Sequence, residues 1–445
     1  MRTVLVLGTG PAAIVSAILL KRYGHRVIVI GRPRELSVLE GASPRVAEGL
    51  KRAGCIDALE VLGPSWARAA SWAGEYREIN GEHVIERSLF EGSLLDDLER
   101  HEIDFFQGTV LGVKSEQQGW SVTFGESIEK SFTLQGDFLV EARGRSAPKT
   151  APDIVAGPTS VALTRSFQSS VKGSRQTCTE SFRDGWAWCT RDVDGKASIQ
   201  LTVSPKSVSD GPEYGLSSIH QEMLENLSTI PSMLGNFWPL GEARARGVQP
   251  VLRGGLTTEK MIRVGDAAYC NDPLSGHGMY EAVSGAFAAA PVINTILCRP
   301  ADLDLARTYY FDRAITTFQH RCQAGREHYL SESRWSDSPF WRVRQTWSAD
   351  LQMSTRAQYS AMLDVRAVVE DGYIVPRRVV VTPEHPRGVR FIAGVELSNL
   401  IEHLQVPTPA QDLLSVASRI GVDARCLHLA WEWLRKEKLV SSGRM

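Results

Sequence analysis

The sequence predicts an α/β protein with three parts. These are a Rossmann-like nucleotide-binding domain, a mixed-sheet domain inserted into it, and a small helical, winged-helix-like C-terminal domain. Three observations predict this. The chain opens as strand, glycine turn, helix and strand in "TVLVLGTGPAAIVSAILLKRYGHRVIVIGR". A second strand, turn and helix, "MIRVGDAAYCNDPLSGHGMYEA", follows past the middle of the chain. Between them, residues 155–249 carry alternating apolar and polar runs such as "SVALTRSF" and "ASIQLTV", which read as strands. At 445 residues the chain exceeds one ordinary core, so division into domains is expected.

Bulk composition narrows the class. The net charge of -1 gives no electrostatic case for nucleic acid. Seven cysteines without a C-x-x-C pair argue against a disulfide frame or a metal site and for a reducing, cytoplasmic setting. The apolar start is interrupted by Gly-Thr-Gly-Pro, so it reads as strand, turn and helix rather than a signal peptide. No apolar run reads as long enough to span a bilayer, and no membrane partner is expected.

In the opening unit Val4–Leu7 form a short, fully apolar strand. Gly8, Gly10 and Ala13 then occupy the three positions of a G-x-G-x-x-G/A fingerprint. Gly8 permits the tight turn and Gly10 a close approach of backbone to a pyrophosphate, while Ala13 allows close helix–strand packing. Pro11 and Ala12 begin the helix whose positive end faces the phosphates. An acidic residue usually ends the second strand and holds the adenosine ribose. Gly31 and Arg32 stand there instead, so the ribose partner is left open.

Four segments resemble the flavoprotein monooxygenases, in family order. "EGASPRVAEGLKRAG" is similar to their loop and helix after the second strand, with Arg45 where an arginine reaches the cofactor. "ERSLFEGSLLDDLERHEIDF" resembles the R-x-x-F-D-x-x-L helix, with Arg87, Phe90, Glu91 and Leu94 in register and Glu91 in place of aspartate. "DFLVEARGRSA" resembles the strand ending in D-A-T-G-R, keeping Ala142, Gly144 and Arg145 while Arg143 replaces threonine. The Gly265–Asp266 segment resembles the family's G-D motif. The resemblance implies FAD in a GR2-type fold, with Asp266 on the ribityl hydroxyls and Pro273 near the reactive flavin edge. Gly276, His277, Gly278 and Met279 would open the helix beneath the pyrimidine ring, with His277 a tolerated residue between glycines. The expected division is 1–154 with 250–300 for FAD, 155–249 for substrate, 301–366 as a helical extension and 367–445 as the C-terminal module.

Two segments resemble the halogenase-like branch. "DGWAWCTRDVDGKASI" keeps Trp186 and Trp188 of a W-x-W-x-I-P segment, and "REHYLSESRWSDSPFWRVR" contains F-W-x-x-R. Halogenases of this branch need a lysine that handles hypohalous acid, placed after the helix that ends at Gly54. No lysine occurs between Lys51 and Lys114, and the loop "GPSWARAASWAGEYREIN" offers only arginines. The resemblance therefore implies a monooxygenase acting through a flavin C4a-hydroperoxide, with O2 as co-substrate and NAD(P)H as a transient donor. Trp66, Trp72, Trp186 and Trp188 are candidates for an aromatic substrate pocket. Glu180, Asp184 and Asp272 are candidate acid/base groups, which the sequence does not rank.

The C-terminal segment reads as helices. Thr408, Pro409 and Gln411 form a capping box, and Asp423 caps a helix with Leu427, Ala430, Trp431 and Leu434 on one face. "LRKEKLVSSGR" would lead into a short strand, and Pro376–Arg378 with "TPEHPRG" would mark the connection to the rest. Balanced charge favours protein docking over DNA binding. Together these features resemble the flavoprotein monooxygenases of tryptophylquinone cofactor biogenesis, of the kind serving quinohemoprotein amine dehydrogenase. This implies a tryptophan in a partner protein as substrate. A small-molecule aromatic hydroxylase, a tryptophan halogenase and a non-catalytic flavin-binding chaperone are the alternatives.

Overall fold

The computed structural model of the protein describes residues 1–35, 38–209, 215–349, 360–404 and 413–440. Its first sheet is parallel, in the spatial order Met261–Arg263, Phe138–Glu141, Thr3–Leu7, Arg26–Gly31 and Asp104–Gln107. Thr3–Leu7 lies at its centre, and alternate residues are buried on opposite faces. Val4 and Val6 join the core beneath the helices, and Leu5 and Leu7 join a second core beneath the meander Thr109–Glu116, Gly119–Gly125 and Ser131–Gly136. Coverage on both faces explains why this strand is a continuous apolar run rather than an alternating one.

Several helices share the core on the first face, Pro11–Arg22 and Gly278–Cys298 at its centre. Pro11–Arg22 is buried from Pro11 to Leu20, and its alanines pack it between the sheet and the helix Gly278–Cys298. The latter corrects an expectation from the sequence. By length and composition its 21 residues could cross a membrane, but 72% of the apolar window is buried inside the fold. It is apolar because protein surrounds it on most sides.

The second sheet has nine strands and is mixed. Residues 155–249 supply six of them, from Val161–Ser169 to Arg244–Gly247. The other three, Leu39–Ala42, Trp66–Trp72 and Glu75–Glu86, come from the N-terminal part. Gln176–Phe182 pairs in parallel with Trp66–Trp72, with Cys178 opposite Ala69. The stretch expected as a loop at 63–80 is therefore mostly a hairpin, turned by Ala73 and Gly74, both at positive φ (54° and 82°). Helices Leu216–Leu224 and Thr229–Leu234 cover one face of this sheet.

The helical extension consists of Leu303–Ser331 and Pro339–Thr346. The expected boundary at 366/367 falls inside a strand. Met362–Glu370 and Tyr373–Val381 form one hairpin, in which Pro376 pairs with Ala367. The hairpin is anchored to the first domain, because Ile374 is buried in its core and donates its N–H to Thr295 Oγ1 at 2.8 Å. Beyond it, Leu397–Leu404, Leu413–Ile420 and Ala424–Lys436 pack around Leu400, Ile401, Leu427, Ala430 and Leu434, beside a two-stranded ribbon at Phe391–Ile392 and Val395–Glu396. Asp423 caps the last helix, accepting from Arg425 N and Cys426 N. Trp433 packs against this core, whereas Trp431 stays half-buried and stacks on His428. The face thus turns toward Cys426 rather than Trp431. The capping box at Thr408, Pro409 and Gln411 lies outside the described residues. Of the expected final strand, residues 437–440 form turns and 441–445 also lie outside.

Candidate active site

A cavity of about 960 Å³ runs between the two sheets. At one end lies the glycine turn. Gly8 has φ +119°, and a Cβ there would stand 2.5 Å from Ala142 O, so only glycine fits. Gly10, Pro11 and Ala12 put the start of the first helix on the cavity wall, with its free amides and positive dipole end. Ala13 is fully buried behind them. Gly265 also stands behind the wall; at φ +64°, its Cβ would meet Ala12 Cβ at 2.7 Å. Close packing of the second motif on the first helix therefore requires this glycine.

Arg87 closes over the turn. Its Nη2 lies 3.1 Å from where a Cβ on Gly10 would stand. Its Nε donates to Glu91 Oε1 at 2.8 Å and its Nη1 to Glu40 Oε2 at 3.0 Å. Glu91, at the family's aspartate position, also accepts from Arg34 N and Thr9 Oγ1. Burial works against ionisation of Glu40, but Arg87, Arg246 and Arg34 outweigh it and lower its pKa. The result is a rigid guanidinium beside a helix N-terminus, a suitable seat for a pyrophosphate.

Midway along the wall, Asp266 turns its carboxylate to the cavity, 3.5 Å from Arg145 Nε. Burial raises its pKa, with Arg145 pulling the other way. Ala142 and Gly144 line the wall beside it, as does Arg143, whose Nη2 donates to Glu141 Oε2 at 2.5 Å. At the far end, Pro273 opens a short turn and Gly276 adopts φ +63°. A Cβ on Gly276 or Gly278 would meet no atom within 4 Å, so both face open space, with Met279 beside them.

Besides Ala13 and Gly265, which stand behind the wall, Arg45 and His277 are expected cofactor residues that do not line the cavity. Arg45 is exposed, with its guanidinium 5.9 Å over the Tyr280 ring. His277 turns its Nδ1 to Ser275 O rather than to the wall, and burial lowers its pKa. Gly31 does line the cavity, with a Cβ there 3.0 Å from Thr9 Cγ2, so close packing explains why no larger residue ends the second strand. Arg32 beside it pairs with Glu35 at 2.7 Å.

On the wall formed by the second sheet, Trp186 and Trp188 share one face of strand Gly185–Arg191, and both line the cavity. Trp188 Nε1 donates to Glu82 Oε1 at 3.1 Å, and Trp186 Nε1 to Tyr329 Oη at 3.3 Å. Trp66 lies off the wall beneath Arg175, and Trp72 packs edge-on against Trp341 at 5.4 Å. The three acid/base candidates separate cleanly. Glu180 is buried and accepts from the amides of Ser228, Thr229 and Ile230, a capping task. Asp184 is exposed at a strand turn. Asp272 alone of the three lines the cavity.

The F-W-x-x-R motif is structural. Trp341 Nε1 donates to the carbonyls of Phe182 and Arg183, and Arg344 donates to Phe340 O, Thr159 O and Ser160 Oγ. Sequence reading missed Arg34, Glu40, Glu82, Arg246 and Tyr329. None belongs to a local motif; only the fold collects them. Among the described residues the wall carries seven arginines and no lysine.

A glycine turn at a helix mouth, a carboxylate midway and an open glycine pair at the far end fit an extended dinucleotide bearing a flat ring. The fold and this site define a flavoprotein. Residues 1–320 match the FAD binding domain family, and the chain belongs to it as an FAD-dependent monooxygenase. The protein is similar to the peptidyl tryptophan dihydroxylase QhpG, essential for tryptophylquinone cofactor biogenesis. The two share 33% identity over 99% of this chain and 100% of that one, with a TM-score of 0.81. The flavin-dependent halogenase CmlS shares the fold at 18% identity, with a TM-score of 0.77 over 100% and 97% of the two chains. A tryptophan 2-halogenase of Chondromyces crocatus is 23% identical over 434 residues, 83% of this chain and 76% of that protein.

Proposed function

We propose that the protein hydroxylates a tryptophan side chain in a partner protein during tryptophylquinone biogenesis, consuming O2 and NAD(P)H. The observation that carries this reading is the full-length likeness to QhpG, which extends through the C-terminal module as well as the FAD domain. The cavity supports it. Gly8, Gly10 and Arg87 would hold the pyrophosphate, and Asp266 would accept hydrogen bonds from the ribityl hydroxyls. Pro273, Gly276 and Gly278 would form the floor under the flavin ring, facing Trp186 and Trp188 across the remaining space. When bound, FAD supplies the reduction of O2 and the transfer of one oxygen atom to an electron-rich ring. The protein's share is to orient that ring and exclude water. The C-terminal module would dock the partner. A reducing, cytoplasmic setting belongs to the same proposal, supported by seven cysteines all carried as free thiols.

Halogenation is the second reading, favoured by the tryptophan 2-halogenase relative. The wall of arginines without lysine speaks against it, because a guanidinium is a poor nucleophile. Mass spectrometry after aerobic turnover with FAD, NADH and chloride decides between them. One or two oxygens added to a peptide tryptophan are expected. A chlorine isotope pattern would restore halogenation, and oxygen on free tryptophan alone would point to a small-molecule hydroxylase.

A further inference from the structure

Asp272 stands immediately before Pro273, at the end of the cavity that Trp186 and Leu274 also face. It is 8% exposed. Its Oδ1 accepts Leu274 N–H at 2.9 Å, and Tyr329 Oη lies 3.1 Å from both carboxylate oxygens. Tyr329 in turn accepts Trp186 Nε1–H at 3.3 Å. An indole N–H is a donor only, so the phenol oxygen accepts from Trp186 and its own proton points to Asp272. The direction of the chain is thereby fixed, from indole to phenol to carboxylate. Tyr329 itself is 3% exposed, and its ring packs edge-on against Phe340 and Trp341 at 6.3 and 5.9 Å, so it holds one position. Burying a carboxylate in such apolar company is costly, and a cap for one short turn is a small return.

We propose that Asp272, oriented by Tyr329, accepts the proton that leaves the aromatic ring when it is oxygenated. This rests on the hydroxylation reading above. Oxygen transfer forms a C–O bond using a π pair of the ring. The attacked carbon then bears both the oxygen and its original hydrogen, and the ring carries a positive charge. Breaking the C–H bond returns its electron pair to the ring and passes the proton to a carboxylate oxygen. Dioxygen supplies the transferred atom and reduced nicotinamide the two electrons, and the second oxygen atom leaves as water.

The surroundings suit these roles. Burial raises the pKa of Asp272, while Leu274 N–H, Arg344, Tyr329 and Arg145 pull it down, making it a stronger base than a surface carboxylate. Burial and the Asp272 charge hold Tyr329 well above its ordinary value, so the phenol keeps its proton and acts as a positioning residue. Cys322, also near Asp272, is pushed up to about 12 by burial and that charge, and the arginines stay charged. Asp272 is thus the member of this group that titrates under ordinary conditions.

The test compares the full-length, FAD-loaded protein with Asp272→Asn, Asp272→Glu and Tyr329→Phe on a tryptophan peptide that the wild type modifies. D272N is expected to form product about 100- to 1,000-fold more slowly while binding FAD with unchanged affinity, and D272E to recover part of the rate. Tyr329→Phe removes a hydrogen bond that favours the carboxylate. The acid limb of the kcat profile should therefore move to higher pH, whereas D272N should lack that limb. A second readout needs no turnover. Infrared titration of the apoprotein should show a carboxylic-acid band, absent in D272N, with its midpoint above the ordinary carboxylate range and higher still in Y329F. A D272N enzyme with wild-type rate and acid limb would overturn the proposal, as would a band titrating in the ordinary range. A wild type that modifies no aromatic substrate would overturn the hydroxylation reading along with it.

Discussion

Arg145 Nε lies 3.5 Å from Asp266 Oδ2, joining the end of one motif strand to the turn after another. The pair places a charged acceptor midway along the cavity, yet burial still raises the pKa of Asp266. A raised carboxylate contributes stability below its ordinary pKa and loses that contribution as pH rises through the shifted value. The ionised group therefore works against the apoprotein, although it would serve a bound cofactor as an acceptor.

Asp266→Asn should separate these two effects. FAD affinity is expected to fall about 10- to 100-fold, the scale of lost hydrogen bonds to a charged acceptor. The apoprotein should melt at or above the wild-type temperature, with the larger gain at pH 8 than at pH 5. Flavin fluorescence titration and thermal melts measure the two. A variant that loses stability without losing FAD would contradict the assignment.

Gly8 and Gly278 both line the cavity but should respond differently to alanine. At Gly8 a Cβ meets a backbone carbonyl at 2.5 Å and the residue sits at φ +119°, so Gly8→Ala should destabilise the apoprotein by about 2–4 kcal/mol. At Gly278 the Cβ meets nothing within 4 Å, so folding should be unaffected and only FAD affinity should fall. Denaturant unfolding beside FAD titration distinguishes the two.

Glu180 looked like an acid/base candidate in the sequence and is a cap in the structure. Its Oε1 accepts from Ser228 N and Thr229 N at 2.8 and 2.9 Å, and its Oε2 from Ile230 N at 2.8 Å. Glu180→Ala should cost about 2–4 kcal/mol of stability and leave turnover per folded molecule unchanged. A folded E180A protein without activity would return it to the chemistry.

Much of the nucleotide end was legible because its determinants are local. Gly8, Gly10 and Pro11 act within one turn, and Asp266, Pro273 and Gly276 within another. The second sheet was only half legible, since the parallel pairing of Cys178 with Ala69 leaves no trace in either segment. Arg45 stands off the cavity wall for a related reason. Its motif fixed the helix Pro44–Ala53, but not the side chain's direction, which Tyr280 on a different helix shares in setting. Tyr329 falls within a segment that resembles the halogenase branch, yet only the packing of a 29-residue helix brings it to Asp272.

Trp188 supplies a test of the substrate side. Its indole donates to Glu82, which also accepts from Thr177 Oγ1 at 2.5 Å. Trp188→Phe keeps most of the aromatic surface and removes one donor. A rise in KM of about 3- to 10-fold is expected, with kcat changing less and FAD affinity unchanged. Steady-state kinetics with the peptide substrate, beside flavin titration, would reveal it. A loss of FAD instead would move Trp188 to the cofactor side.

The described wall of the cavity has neither lysine nor histidine; its cations are seven guanidiniums, with five carboxylates set among them. A guanidinium keeps its charge at any pH a folded protein meets. The chamber is therefore a permanent positive frame whose net potential follows its two aspartates, Asp266 and Asp272, both raised by burial. Acid neutralises these two carboxylates and deepens the positive potential, whereas the guanidiniums do not change. Phosphate or sulfate in a buffer will thus compete with the dinucleotide more strongly as the solution is acidified. Affinities measured in such buffers will drift with pH even where the protein has not changed shape.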